Sequence, residues 1–120
     1  MKPLIISNNP AVKAEYPETY FVSGSFEDVL CKVRDFIHKG HQLISYPIGS
    51  SIRTIYSPYR SILISGASGP FDVNHCEILE SGIETYRINM ENRKIDYLNK
   101  GGYEFIDLEL LKVSLKEADY

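Results

Sequence analysis

The sequence predicts an α/β domain, built as a small, mostly parallel sheet of four to five strands with helices on both faces. Three observations carry that expectation. Apolar runs of strand length recur at Leu4–Ser7, Tyr20–Val22 and Ser61–Ser65. Other segments repeat their apolar residues at helical spacing, most clearly Phe26, Val29, Leu30, Val33, Phe36 and Ile37. Clusters of Gly, Pro and Asn separate the two kinds of segment. Strands alternating with helices point to βαβ units and a parallel sheet. At 120 residues the chain makes one domain, 1–120, with enough length for one real core.

The elements follow in order. Leu4–Ser7 reads as a buried strand running into Asn8-Asn9-Pro10. Pro10 suits the first position of a helix and Asn9 its cap, so a short helix over Ala11–Glu15 follows, stopped by Tyr16-Pro17. Tyr20–Val22 is a second short strand. Ser25 and Asp28 have the spacing of a capping box, and Gly40 stands where a left-handed residue ends a helix, which bounds a helix over 26–39. His41–Tyr46 alternates and is expected as a third strand; Ser61–Ser65 is the fourth. A helix begins near Asp72, with Cys76, Leu79, Ile83, Tyr86 and Met90 on one face and Gly82 as a weak point. Gly101-Gly102 reads as a break. Tyr103–Ile106 is then a candidate last strand, and Asp107 the cap of a final helix with Leu108, Leu111, Leu115 and Ala118 on its face. An extended Phe105–Leu110 is the alternative.

Composition excludes several function classes. Hydrophobic residues make up 43% and charged residues 24%, which is ordinary for a globular domain. The formal net charge of -3 argues against a nucleic-acid binder, which normally shows a basic excess. No apolar run has bilayer length, and the N-terminal run is too short for a secretory signal, so a cytoplasmic protein without membrane contact is expected. Cys31 and Cys76 form no CxxC pair and no disulfide framework. Phosphate-loop, dinucleotide, zinc-protease and serine-hydrolase motifs are absent from the sequence.

The charge distribution is the sharpest clue to function. Of 16 acidic residues, five lie in 1–35 and eleven in 72–120. The stretch from Phe36 to Phe71 has none, and it carries Lys39, Arg53, Arg60, His38 and His41. In open α/β sheets, ligands gather beyond the carboxyl ends of strands, and here those ends are small or polar. The Gly49–Arg60 loop and the Ser7-Asn8-Asn9 turn are therefore expected to face one another around a small anion. Its binding residues would be Ser7, Asn8, Asn9, Gly49, Ser50, Ser51, Arg53, Tyr59 and Arg60. Arginine offers a planar fork for carboxylate or phosphate, and Gly49-Ser50-Ser51 a nest of backbone N–H groups. The plainer alternative is a polar loop whose arginines pair with the acidic helices.

Other residues are weighed beside this site. Cys31 shares a helix side with Glu27, Arg34 and His38, which makes it a candidate reactive thiol or, more simply, a surface thiol. Cys76 falls on an apolar stripe and is expected in the core. His38 and His41 cannot share a helix face if the helix stops at Gly40, so no metal ligands are predicted. His75 is expected to bond locally near Asp72 and Glu77. No catalytic residue and no cofactor are predicted.

Two resemblances add to this reading. Leu4-Ile5-Ile6-Ser7-Asn8-Asn9-Pro10-Ala11-Val12-Lys13 is similar to the start of the inosine-triphosphate pyrophosphatases, in which an Asn-rich turn and a Lys meet nucleotide phosphate. It covers about a tenth of the chain, and the acidic metal ligands of those enzymes have no counterpart here. The second resemblance spans most of the chain. It runs through Leu4–Pro10, Val33–His41, Tyr46-Pro47-Ile48-Gly49-Ser50-Ser51-Ile52 and Ser57–Ser65, and it resembles the GrdX family. That family consists of small bacterial proteins encoded beside the glycine reductase genes of amino-acid fermenters. The resemblance implies an accessory or regulatory role near glycine reductase, with reductase components as partners, and it supplies no catalytic residues. The alternatives are a small nucleotide- or phosphoester-processing enzyme and a protein–protein adaptor that docks on a reductase component or on a second copy of itself.

Overall fold

The computed structural model describes residues 2–48 and 55–119. Along the described chain run β1 (Leu4–Ser7), α1 (Pro10–Glu15), β2 (Tyr20–Phe21), α2 (Phe26–His38), β3 (Ser61–Ile64), α3 (Val73–Met90) and α4 (Lys100–Glu117). The sheet has three strands in the order β2-β1-β3. β1 and β2 are parallel, with α1 in their crossover, whereas β1 and β3 are antiparallel. The expected mostly parallel sheet of four to five strands is thus corrected to a mixed three-stranded one. The cause lies between α2 and β3, where the described residues, 41–48 and 55–60, hold no crossover α-helix. Nothing there obliges β3 to run parallel to β1.

Helices do cover both faces. Ile6, Ile62 and Ile64 point to one side and pack with Phe26, Val29, Leu30, Val33 and Ile37 of α2 and with Leu79, Ile83 and Tyr86 of α3. Ile5 and Leu63, next to them in sequence, point to the other side. There they meet Val12 of α1 and Leu111 and Leu115 of α4. This strict alternation is why β1 and β3 are apolar at every position but one, Ser7 at the end of β1 and Ser61 at the start of β3, since each apolar residue faces a core.

The predicted third strand, His41–Tyr46, makes only an isolated bridge, Leu43 with Ile64. It still covers the outer edge of β3. The Ser65 N–H donates to the Gln42 carbonyl (2.8 Å), and the Leu63 N–H donates to the Ser45 hydroxyl (2.8 Å). A side chain replaces a ladder partner, so the segment closes the edge without being a full strand.

Local signals explain the helix ends. Asn9 caps α1, its Oδ1 accepting the Ala11 N–H. Ser25 and Asp28 form both bonds of the capping box of α2. After α2, Gly40 has φ 99°, and a Cβ there would fall 1.9 Å from the Gly69 carbonyl oxygen. Only glycine fits both the left-handed backbone and that close approach. Gly82, which read as a weak point, lies where Pro47 approaches: a Cβ would stand 3.2 Å from the Pro47 Cβ. Asp72 caps α3, as expected.

The C-terminal third departs most from expectation. Gly101 and Gly102 lie inside α4 instead of breaking the chain, and Tyr103–Ile106 is helical, not a strand. Asp107 sits in the middle of α4 and is only 5% exposed, so it is no cap. The two glycines cost roughly 1 kcal/mol each in a helix. The packing of Leu111 and Leu115 and the bonds made by Asp107 offset that cost.

Candidate functional site

The carboxyl end of β1 is a knot of polar side chains. Ser7 and Ser61 are cross-strand partners, with their hydroxyl oxygens 2.7 Å apart. The Ser61 hydroxyl donates to Asp107 Oδ2 (2.6 Å). Having one hydrogen, Ser61 must then accept from Ser7, which in turn accepts from the Asn9 N–H (2.9 Å). A relay of two hydroxyls therefore ends on a buried carboxylate. Asp107 Oδ1 also takes the Ser61 N–H (2.9 Å), and Oδ2 takes the Asn9 side-chain amide (3.0 Å). The same amide donates to the Glu104 carbonyl (2.9 Å). A charge held by three donors is a tolerable burial, whereas a bare one is not.

Asn8 ties the next layer. Its amide donates to the carbonyls of Gly24 (2.9 Å) and Pro58 (2.8 Å), and its oxygen accepts the Arg60 N–H (2.9 Å). Arg60 is only 7% exposed. Its Nε donates to the Pro47 carbonyl (2.8 Å), and an Nη donates to the Tyr46 carbonyl. Burial pulls the guanidinium below its ordinary pKa, and the nearby Asp107 carboxylate opposes that shift. Tyr59 is buried beside it, in a turn where the Ser57 hydroxyl accepts the Tyr59 N–H. Ser57, Tyr59, Arg60, Tyr103, Ile106, Asp107 and Leu110 line a cavity of about 10 Å³, room for about one water.

Ser7, Asn8, Asn9, Tyr59 and Arg60 are thus brought to one end of the sheet, as the sequence suggested. Gly49, Ser50, Ser51 and Arg53 lie outside the described residues. The turn and the loop meet through direct hydrogen bonds, and many of their donors serve the protein itself. Of the described cations in the acid-poor stretch, Arg60 lies at this knot and Lys39 lies over the Phe36 ring instead.

Asp107 and Ser61 are the residues that sequence reasoning missed here. A signal existed, because Asp107, Leu111 and Leu115 share a helical stripe at spacings of four. Reading the double glycine as a break hid it.

The second cysteine region also differs from expectation. The groups placed around Cys31 turn to α3: Glu27 pairs with Arg87, Arg34 with Glu80, and His38 with Cys76. Cys76 is half-buried at the margin of the core on which it packs, and its sulfur faces a histidine. The His75 ring accepts the Leu43 N–H through Nδ1, a long-range bond in place of the local one expected, while its backbone N–H donates to Asp72 Oδ1 (3.1 Å).

A family model described as GrdX-like protein matches residues 4–116, nearly the whole chain. The chain belongs to this GrdX-like family. The match spans both the polar knot and the α2–α3 pair. No curated protein and no solved structure matches the chain. Among the described residues, no helix is long and apolar enough to cross a membrane.

Proposed function

We propose that this GrdX-like protein is an accessory or regulatory component of the glycine reductase system, and that it binds a small anion where β1 and β3 meet. The family match supports the choice of system. The observation that supports the anion is Arg60, whose buried guanidinium gives two of its five N–H groups to the Pro47 and Tyr46 carbonyls and lines a small cavity with Ser57 and Tyr59. Arg53, in the adjoining loop, would supply a second fork. The anion would be a carboxylate or phosphate of small size, which fits the amino-acid and acyl-phosphate chemistry of such a system.

Thermal shift against inorganic phosphate, acetyl phosphate, glycine and nucleotides tests this. A ligand at 100 times its dissociation constant adds about 2.7 kcal/mol. Stabilisation of the native chain that is lost in Arg53→Ala and in Arg60→Lys supports the reading. Absence of a shift with every probe, or equal shifts in both variants, overturns it. Phosphate released from acetyl phosphate would make the protein an enzyme instead.

An adaptor role has separate support. Phe105, Ile106 and Val113 of α4 are exposed, and Leu98 before it is 98% exposed. Such apolar groups suit a protein contact. Co-purification with glycine reductase components that fails in Phe105→Glu would favour it.

A further inference from the structure

We propose that His38, Cys76 and Glu80 form a transition-metal site, with Zn²⁺ as the ion it suits best. The site is independent of the anion-binding reading and lies on different helices. Three pairs define how α2 and α3 align. Glu27 meets Arg87, Arg34 meets Glu80, and His38 meets Cys76. As the numbers rise on α2 they fall on α3, so the helices lie antiparallel. This brings the last turn of α2 against the first turn of α3. Cys76 and Glu80, four residues apart, project on one face of α3, and His38 reaches them from across the seam.

The geometry suits a metal. His38 Nε2 and Cys76 Sγ are 3.7 Å apart. Zinc–nitrogen and zinc–sulfur bonds of about 2.0 and 2.3 Å at a tetrahedral angle give about 3.5 Å between the donors. One ligand atom from each of the three residues lies within 4.8 Å of the others, so a small movement of the Glu80 side chain closes the set. Both His38 and Glu80 are exposed. Phe71 packs edge-on against the His38 ring at 5.8 Å, which holds the imidazole and shields one side.

Chemistry selects the ion. Thiolate with imidazole prefers zinc and its neighbours over Mg²⁺ or Ca²⁺, which take oxygen. Three protein ligands leave a fourth position for water or an anionic ligand, the arrangement of open zinc sites. Arg34 lies 3.6 Å from Glu80 and competes with the metal for that carboxylate.

Co²⁺ titration of the reduced, full chain is the test, because thiolate–cobalt bonding gives a charge-transfer absorption that carboxylates and imidazoles do not. The expected result is one equivalent bound, with that band and tetrahedral d–d bands, both displaced by Zn²⁺. Cys76→Ser and His38→Ala lose the bands, and Glu80→Gln weakens Zn²⁺ binding by about tenfold or more. Arg34→Ala tightens it. Cys31→Ser, which removes the other thiol, leaves the spectrum unchanged. Circular dichroism establishes that each variant is folded. A native chain without the charge-transfer band overturns the proposal. So does a band that survives Cys76→Ser or disappears in Cys31→Ser.

Discussion

Replacing Asp107 with alanine removes the acceptor on which the strand-end knot closes. Three donors reach that carboxylate: the Ser61 N–H, the Ser61 hydroxyl and the Asn9 amide. The hydroxyl can turn to Ser7 Oγ, 2.7 Å away, but only by displacing the hydrogen that Ser7 donates in the native relay. The Ser61 N–H and one Asn9 hydrogen have no such alternative. A buried unsatisfied donor costs roughly 1–3 kcal/mol. Releasing a buried negative charge offsets part of that sum. The net loss is therefore about 2–5 kcal/mol, a large share of the 5–15 kcal/mol typical of a whole domain. With a urea slope of about 1–3 kcal/mol/M, the midpoint should fall by roughly 1–3 M at unchanged slope. Asp107→Asn is the sharper variant. Either orientation of its amide turns an NH₂ group toward a donor, at Ser61 or at Asn9, so the isosteric change is also costly. Coupling in a double-mutant cycle with Ser61→Ala should exceed about 0.5 kcal/mol. A loss below about 0.5 kcal/mol in both Asp107 variants, the range of ordinary surface changes, would refute the knot as a structural element.

Other predictions follow from the same geometry. Gly40→Ala forces a left-handed alanine and drives its Cβ into Gly69, and calorimetry should show Tm lowered by several degrees, with more than about 1 kcal/mol lost. Tyr86, stacked on Phe26, has its hydroxyl pushed up to about 12, first by burial and then by Glu27 and Tyr97. Its neutral form stabilises the fold below the unfolded value of about 10, and that contribution is lost as pH rises toward 12. Alkaline unfolding should therefore shift to higher pH in Tyr86→Phe. Asp96 is held below the usual carboxylate range, chiefly by the Asn99 side chain, with Leu98 N–H and the Tyr103 hydroxyl adding to it. Its folded pKa is depressed, so its contribution is present above the unfolded value and fades as pH falls; hydrogen-exchange protection at the start of α4, corrected for the intrinsic rate at each pH, should decrease in acid, and less so in Asp96→Asn.

Much of the fold was legible because local chemistry and tertiary packing agree there. The Ser25–Asp28 box, Gly40, Asn9 and the Phe26–Ile37 stripe each specify their element by short-range physics, and each stands where expected. Strand direction was not legible. Leu4–Ser7 and Ser61–Ile64 are apolar on both faces, and such runs look the same in parallel and antiparallel sheets. Nor could propensity find α4. Gly101-Gly102 disfavours helix locally, and the force that overrides it comes from Ile5, Leu63 and Ser61, about 40 residues and more away in sequence. At the candidate site, the turn and the loop were expected to meet, but Asn8 and Arg60 converge because β3 runs antiparallel to β1, which sets the start of β3 beside the end of β1. The partner that completes the knot, Asp107, could not be anticipated, because its role depends on the same misread helix.

The edge of β3 shows why the knot exists at all. Its outward N–H groups fall on alternate residues: Ser61, Leu63 and Ser65. They go to Asp107, the Ser45 hydroxyl and the Gln42 carbonyl. A three-stranded sheet without a fourth neighbour must cap these donors or expose them as a template for another chain. Asp107 therefore serves the sheet first, and a ligand at Arg60 must use donors that the sheet does not need. The metal ligands lie under no such demand, since His38, Cys76 and Glu80 are not bonds on which a strand depends. The two sites should then separate cleanly. Folded Asp107→Asn protein should lose stability and retain its Co²⁺ spectrum, whereas Cys76→Ser should lose the spectrum and keep its urea midpoint within about 0.5 kcal/mol of native stability. A Cys76→Ser variant as unstable as the Asp107 variant would mean that the α2–α3 seam is held by the thiol itself, and the separation of structure from chemistry argued from β3 would fail.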